Sequence, residues 1–392
     1  MKTFLKAEHI TVSREERTIL KDCSFSVQGG EFVGIIGPNG AGKSTFLKAM
    51  RGIIRRDGGK VSLMGRDMDH LAEKETARLL AFMQQDTHVE FGFTGREVVM
   101  AARYPYLKWW QRESEKDRAI AEKYMAFTGT LPLADKLISE VSGGERQRIL
   151  LAKVLAQETP VIFLDEPTAS LDLVYQEDIF RRCLSLAEEK GKAVVMVCHD
   201  LAMAARYCTR LVMISHGTVA ADGRPEEVLT AAHLRRSFGL ESVVYTNALS
   251  GNLDLYTYEK KPDMSEKGIV LVLGSGREVC ALYRLLYTSG YTAAAGILPE
   301  DSLAVEVAGQ FSIPYLTVKE GEKMGSLIEK SAVILTVNLT EAEAAFYSPL
   351  IEKAGKTAMT GRTGERGAGY PFSLEKMEGC IAAQVLHVPF SD

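Results

Sequence analysis

Short apolar runs alternate with longer stretches of helical periodicity through the first two thirds of the chain. The runs rich in β-branched residues predict strands at residues 32–37, 161–165, 193–198 and 210–214. A helical pattern at residues 45–50 follows the first of these runs. Strands that alternate with helices favour an α/β domain whose sheet is largely parallel.

A predicted hairpin and a polar stretch follow this first domain. Runs at residues 243–245 and 253–258 flank Ser250-Gly251-Asn252, which is typical of a hairpin turn. We expect this hairpin to close a first domain at residues 1–260. The next stretch is rich in lysine, glutamate and aspartate with one proline, which predicts a linker at residues 261–268.

The alternation restarts beyond the linker and predicts a second, smaller α/β domain at residues 269–392. The expected strands there lie at residues 269–274, 291–298, 315–318 and 332–338.

Composition narrows the class of protein. The 392 residues carry 47 Lys and Arg and 51 Asp and Glu, a formal charge of −4, and 46% are hydrophobic. This balance excludes a disordered chain and a basic nucleic-acid coat. No apolar run approaches the roughly 20 residues that cross a bilayer, and the first ten residues lack the apolar core of a signal peptide. We therefore expect an intracellular protein whose six scattered cysteines are reduced core residues.

A glycine-rich segment directly follows the first predicted strand and has the spacing GxxxxGK[ST]. Glycines at these positions let backbone N–H groups wrap phosphates, and the following helix start adds the positive end of its dipole. Lys43 can reach the β- and γ-phosphates, and the Ser44 hydroxyl can bind Mg²⁺. A tight turn alone would require neither side chain. The expected phosphate-binding residues are Gly37, Pro38, Asn39, Gly40, Ala41, Gly42, Lys43, Ser44 and Thr45.

Two carboxylates, Asp165 and Glu166, end the strand predicted at 161–165. Adjacent carboxylates repel each other, so stability alone does not explain the pair. Asp165 suits a partner of Mg²⁺, in many cases through a water, and Glu166 suits a base that polarises the attacking water. The alternative is a solvated strand end, which the phosphate-binding segment earlier in the chain makes the weaker interpretation.

Ser142, Gly143 and Gly144 lie between these two elements, in the sequence VSGGERQR. A serine before two glycines at a helix start provides an N-cap and exposed backbone N–H groups, which form a second anion site. These residues resemble the signature sequence of ABC transporter ATPases. The resemblance implies that the signature of one subunit closes over the γ-phosphate held by the other, so that two ATP molecules lie in a head-to-tail homodimer.

The remaining positions of this family can be matched one at a time. Gln85 aligns with a glutamine that senses Mg²⁺ and the attacking water, although the neighbouring Gln84 could take that position instead. The alternative role is a solvated glutamine at the end of a strand. Asp172 resembles a residue of the loop that contacts the opposite subunit. The alternative is that Asp172 only caps the N-terminus of a helix. His199 matches the switch histidine that contacts the γ-phosphate. The aromatic residue that usually stacks on adenine falls near Arg14, whose guanidinium plane could stack instead.

The resemblance covers about residues 3–258 and implies a P-loop ABC ATPase domain with a helical subdomain. It implies ATP and Mg²⁺ as cofactors. The catalytic residues would be Lys43, Gln85, Glu166 and His199, and the Mg²⁺ ligands Ser44, Gln85 and Asp165; Ser142, Gly143, Gly144 and Asp172 would bind nucleotide from the opposite subunit.

Residues 94–106 resemble the ATPases that serve iron-siderophore, haem and cobalamin permeases. This implies an ATP-hydrolysing importer subunit, peripheral at the cytoplasmic face of the cell membrane. Its partners would be a second ATPase subunit, a transmembrane permease and, through the permease, a substrate-binding protein, with no nucleic acid. The aromatic residues within 86–112 suit either a groove for a permease helix or the core of a helical subdomain. The alternatives are an ATPase of another metal importer or of an exporter, and a soluble non-transport ABC ATPase.

The second domain starts with a strand and a glycine turn, residues 269–277, which are typical of a Rossmann-like unit. Val279 stands where a dinucleotide fingerprint needs a third glycine, so a tight turn is the stronger interpretation. If a ligand binds, Ser275, Gly276 and Arg277 could hold an anion. A glycine- and arginine-rich stretch at 361–369 could complete such a pocket or form a surface loop. The domain resembles an extension of some importer ATPases, which implies regulation or a dimer contact.

Overall fold

The computed structural model describes residues 2–15, 17–84, 92–169, 171–247, 250–259, 268–274, 276–356 and 358–361. These residues form two compact units. The first comprises the chain up to Leu240 together with Thr246–Leu255, and the second comprises Glu241–Tyr245 and the chain from Tyr256 onward. Gln85, Ser275, Cys380, most of the predicted linker and residues 362–369 lie outside the described residues.

The first unit is a mixed α/β structure. Its strands are β1 (Thr3–Arg14), β2 (Arg17–Gln28), β3 (Phe32–Ile36), β4 (Gly58–Leu63), β5 (Arg66–Asp67), β6 (Leu80–Met83), β7 (Val161–Asp165), β8 (Ala193–Val197), β9 (Arg210–Ser215) and β10 (Thr218–Gly223). Its helices are α1 (Lys43–Arg51), α2 (Glu73–Leu79), α3 (Gly95–Met100), α4 (Glu115–Phe127), α5 (Gly143–Ala156), α6 (Leu173–Glu188), α7 (Leu201–Tyr207), α8 (Pro225–Val228) and α9 (Ala231–Phe238).

A six-stranded sheet in the order β10-β9-β3-β8-β7-β6 forms the centre of this unit. Every neighbouring pair is parallel except β9 with β10, which confirms the largely parallel sheet predicted from the sequence. The four predicted strands end within one residue of the observed ones. All residues of β3, β7 and β8 are buried, which explains their continuous apolar runs.

A second, antiparallel sheet in the order β2-β1-β4-β5 was not predicted from the sequence. The pairing of β1 with β2 shifts register between Ala7 and Ile10, where His9 has a φ of 56°. Such a bulge breaks the two-residue alternation of buried and exposed side chains that marks a strand in a sequence. The hydrophobic pattern of β1 is therefore interrupted although the strand continues for 12 residues.

The predicted helical subdomain consists of α3, α4 and α5 with the segment between α3 and α4. Arg103 in that segment is buried and contacts three elements. Its guanidinium donates to Asp117 Oδ1 on α4 over 3.0 Å and to the carbonyl of Ala156 at the end of α5 over 3.0 Å. Its planar group also lies 4.2 Å from the centre of the Tyr106 ring. Arg103 thus ties the subdomain together, which gives this residue of the 94–106 segment a packing role.

The second unit carries a four-stranded parallel sheet in the order β14-β13-β15-β16. This confirms a second, smaller α/β domain. Its strands are β13 (Ile269–Leu273), β14 (Thr292–Ala295), β15 (Ser331–Val337) and β16 (Ala358–Gly361), and its helices are α10 (Arg277–Thr288), α11 (Leu303–Gln310), α12 (Met324–Lys330) and α13 (Glu341–Lys353).

The strand expected at 315–318 is wrong. Leu316 forms only an isolated bridge with Ile297. A short 3-10 turn, Val318–Lys323, starts directly afterwards, and Glu320 caps it by accepting from the backbone and hydroxyl of Thr317. The capped turn ends the extended conformation after a single bridging residue.

The predicted hairpin forms between β11 (Glu241–Thr246) and β12 (Leu253–Tyr258). Val243 belongs to the hydrophobic core of the second unit, and Tyr245 and Tyr258 pack against that core. The division between the two compact units therefore falls within the hairpin.

Cys23, Cys183, Cys198 and Cys208 are buried and unpaired in the first unit, and Cys280 is half-buried in the second. Burial raises the pKa of the Cys183 thiol, which keeps it protonated and unreactive. Among the helices of the described ranges, we find none whose length and hydropathy would let it span a bilayer.

Arg103→Ala is expected to lower the free energy of unfolding by about 3 kcal/mol, because it leaves the buried Asp117 carboxylate without its charge partner. Arg118→Ala is the matched control, since Arg118 forms an exposed pair with Glu122 on the same helix and should cost under about 0.5 kcal/mol. Urea unfolding of the two variants measures the difference. Equal losses for both would show that Arg103 does not hold the subdomain together.

Candidate functional site

An open groove with a volume of about 1300 Å³ lies along the carboxyl ends of the central strands of the first unit. The loops after β3, β7 and β8 and the turn after β9 all reach it, because parallel strands bring their carboxyl ends to one edge of a sheet. The groove is lined by Arg17, Thr18, Ile19, Lys21, Pro38, Asn39, Gly40, Ala41, Gly42, Lys43, Ser44, Thr45, Glu166, His199, His216, Gly217 and Ser237.

The glycine-rich loop connects β3 to α1. Gly37 has a φ of +148°, and a Cβ atom there would lie 2.1 Å from the carbonyl oxygen of Ile214 on β9. Glycine is therefore required by both conformation and space. Gly42 is the N-cap of α1 and supplies no side-chain cap, so the first N–H groups of the helix are left for a ligand. The helix starts at Lys43, two residues earlier than predicted.

The ammonium of Lys43 is buried within this loop. It donates to the carbonyl oxygens of Gly37 over 2.8 Å and Pro38 over 3.0 Å. Burial lowers the pKa of Lys43, and the carboxylates of Glu166 and Asp165 oppose that shift. The lysine is thus positioned at the loop as a charged donor that a phosphate could take over.

Ser44 and Asp165 join the loop to the end of β7. The Ser44 hydroxyl donates to Asp165 Oδ1 over 2.7 Å. Asp165 is fully buried, and its Oδ2 atom has no hydrogen-bond partner within the described residues. Burial raises the pKa of Asp165, against the hydrogen bond from Ser44. A hydroxyl and a carboxylate with an unused buried oxygen are the ligand type that Mg²⁺ prefers, so these residues fit that ion.

Glu166 and His199 form the second pair of the site. His199 Nε2 lies 2.6 Å from Glu166 Oε1, and the Glu166 side chain is 12% exposed. Glu166 has a φ of 53°, a conformation that non-glycine residues adopt at a cost and that is often found at active sites. The backbone carbonyl of Glu166 also accepts from the Gln147 amide over 3.4 Å. A carboxylate held by an imidazole at the mouth of the groove can accept a proton from a water.

The signature residues lie elsewhere. Ser142 caps α5 and forms a capping box with Glu145, and Asp172 caps α6 by accepting from the N–H of Tyr175 over 3.1 Å. Ser142, Gly143 and Asp172 are exposed, Gly144 is half-buried, and none of the four lines the groove. The plain capping roles considered in the sequence analysis are therefore present in the single chain.

Sequence reasoning missed one wall of the groove. Arg14, the position considered for base stacking, is not among the lining residues, whereas Arg17 is. The missed residues are Arg17, Thr18, Ile19, Lys21, His216, Gly217 and Ser237. Most of this wall forms where β2 meets the turn after β9, and the Lys21 N–H donates to the Gly217 carbonyl over 2.7 Å. That contact joins residues nearly 200 positions apart and leaves no local signal in the sequence.

Comparison with known proteins agrees with this geometry. The family model described as "ABC transporter" matches residues 20–169. The chain is 37% identical to the cobalamin import ATP-binding protein BtuD of Halobacterium salinarum, over 93% of this chain and 92% of that protein. It is 42% identical to the hemin import ATP-binding protein HmuV of Rhodococcus jostii, over 63% of this chain and 84% of that protein.

Among solved structures, the chain resembles the dimeric post-hydrolysis state of the ATP-binding cassette MJ0796 bound to ADP and phosphate. The identity is 27% and the TM-score 0.51, over 56% of this chain and 98% of that structure. The groove thus occurs on the fold of an ATP-binding cassette, and the match to BtuD extends through both compact units.

Proposed function

The chain is an ATPase of the ABC transporter family, and we propose that the groove of its first unit binds and hydrolyses Mg-ATP. In this proposal, hydrolysis drives uptake through a membrane permease. The observation that carries the proposal is that Lys43, Ser44, Glu166 and His199 line a single groove, while the buried Asp165 accepts a hydrogen bond from Ser44.

Each residue has a defined task in this proposal. The backbone N–H groups at the start of α1 and the ammonium of Lys43 bind the phosphates. Glu166 accepts a proton from the attacking water, and His199 holds the Glu166 carboxylate in place and contacts the γ-phosphate. Ser44 and Asp165 would hold Mg²⁺, which neutralises phosphate charge when bound. Gln85 is proposed as a further contact to Mg²⁺ and water on the family resemblance alone.

A second copy of the chain would complete the site. Ser142, Gly143, Gly144 and Asp172 lie outside the groove of their own chain, and in this proposal they contact a nucleotide held by another subunit. The N-cap at Ser142 presents helix N–H groups to solvent, where a γ-phosphate of the partner could bind. We infer a head-to-tail homodimer with two ATP molecules at its interface. The dimeric ADP- and phosphate-bound cassette supports this arrangement.

The helical subdomain is proposed as the docking site for the permease. Phe93, Tyr104, Trp109 and Trp110 are 49%, 69%, 89% and 63% exposed. Aromatic rings left this exposed in one segment of the chain, two of them in contact at Trp109 and Trp110, favour a surface for another protein over the internal core of the subdomain. The chain would then lie at the cytoplasmic face of the membrane as a peripheral subunit, served indirectly by a substrate-binding protein.

The proposed cargo is an iron-siderophore, haem or cobalamin. Cobalamin is favoured among these, because the similarity to the cobalamin import protein BtuD extends over 93% of this chain. We further propose residues 1–260 as the nucleotide-binding domain, 261–268 as a linker and 269–392 as a regulatory domain or dimer contact.

Lys43→Ala and Glu166→Gln should separate binding from hydrolysis. Lys43→Ala removes the buried cation that contacts the phosphates, so the affinity for ATP should fall at least about tenfold. Glu166→Gln keeps the size of the side chain but removes the base, so ATP binding should persist while the hydrolysis rate falls about 100-fold or more. Calorimetry and a phosphate-release assay measure the two effects. Hydrolysis by Glu166→Gln at the parent rate would refute the assigned base.

Trp109→Ser with Trp110→Ser should weaken capture of the permease. The full chain carrying Glu166→Gln, loaded with Mg-ATP, serves as bait in detergent-solubilised membranes, and mass spectrometry identifies the captured proteins. A many-helix permease should be recovered by the parent bait and much less by the tryptophan variant, since the exposed rings supply contact area. Recovery of only ribosomal or soluble partners would instead favour a non-transport ATPase. ATP binding by each bait is the control for folding.

A further inference from the structure

The turn between β9 and β10 contains two residues, His216 and Gly217. Thr218 pairs with Ser215 across it, and the φ angles of His216 and Gly217 are 50° and 77°. A two-residue hairpin loop with two positive φ angles is a type I′ turn, in which Asn-Gly is strongly preferred. Histidine tolerates a positive φ, but this turn does not require a histidine at its first position.

This turn lies on the opposite side of the phosphate-binding loop from the hydrolytic pair. In the sheet, β9 lies on one side of β3, and β8 followed by β7 lies on the other side of β3. Neighbouring strands are about 4.8 Å apart, so the turn after β9 stands roughly 10 Å from the end of β8, which precedes His199. A nucleotide whose terminal phosphate lies beside Glu166 and His199 would extend across the loop and bring its base toward the turn.

The turn is held firmly against the neighbouring wall of the groove. The Gly217 carbonyl accepts from the Lys21 N–H over 2.7 Å. A Cβ atom on Gly217 would lie 2.3 Å from the carbonyl oxygen of Ile19, so the two segments are in close contact. The position of the neighbouring His216 backbone is thereby fixed.

The groove offers few aromatic rings to a base. Among the described residues that line it, the aromatic side chains are His199 and His216. His199 is engaged with Glu166 at 2.6 Å, at the phosphate end. His216 is exposed and lies at the other end. Arg14, the alternative from the sequence, does not line the groove.

We propose that His216 is the base-contacting residue of this ATPase and that its imidazole ring stacks on the adenine of the bound nucleotide. Histidine is one of the side chains on which nucleobases stack, and such stacking contributes affinity for the base, separately from the binding of the phosphates. The inference rests on the proposed function of the groove as an ATP site and identifies its base end.

The test compares ADP with pyrophosphate, which shares the phosphates but lacks the base, by calorimetry on the full chain. His216→Asn removes the ring and installs the preferred residue of a type I′ turn, so folding should be retained. It should weaken ADP binding about tenfold and leave pyrophosphate binding unchanged. His216→Phe keeps a stacking ring and should stay within about threefold of the parent for ADP. Arg14→Ala should bind ADP as the parent does.

Three results would overturn the inference. His216→Asn could bind ADP as tightly as the parent. It could lose ADP and pyrophosphate equally, which would assign the turn a structural role. Arg17→Ala could lose ADP affinity while His216→Asn does not, which would place the base on Arg17. A parent chain that binds neither ligand would instead refute the proposed nucleotide site itself, and this failure is distinguishable because the three results above all require a parent that binds ADP. When the parent binds both ligands, Lys43→Ala should weaken both, which assigns the binding to the phosphate-binding loop.

Discussion

The parallel alignment of β9, β3, β8 and β7 is the constraint on which the site depends. Asp165 at the end of β7 pairs in register with Val197 at the end of β8, so Glu166 and His199 leave the sheet side by side. The loop after β3 enters the same edge, where the hydrogen bond from Ser44 to Asp165 fastens it to β7. Residues far apart in sequence thus share one groove because their strands are neighbours.

The same arrangement leaves the site open on one side. The residues proposed to bind phosphate, to hold Mg²⁺ and to act as the base lie together in one chain, but the exposed helix start at Ser142 does not line the groove of its own chain. In the proposed dimer, a site divided between two copies would make hydrolysis dependent on their association. Association would then move a permease docked, as proposed, on the helical subdomain, which carries α5 and the buried Arg103 that ties α4 to it.

The sequence predicts the site well where the functional residues are neighbours along the chain. The acidic end of β7 was predicted to the residue, and the glycine-rich loop was correctly expected between β3 and a helix, although that helix starts at Lys43, two residues earlier than predicted. Spacing and residue type in both segments reflect contacts between neighbours along the chain. The sequence analysis missed the bulged strand β1 and the wall of the groove that contains His216. A bulge disturbs the alternation of side chains, and the wall exists only where β2 meets a turn from the other end of the unit. Arg14, the position expected to contact adenine, is not among the described residues that line the groove.

The account is tested most directly by sedimentation of the full chain carrying Glu166→Gln, with and without Mg-ATP. We expect a monomer without nucleotide and a dimer with it, because bound ATP supplies the phosphates that attract the signature of the second copy. Adding Lys43→Ala should abolish the ATP-dependent dimer. A chain that remains monomeric at saturating Mg-ATP, or a dimer that forms equally well without nucleotide, would contradict the shared site.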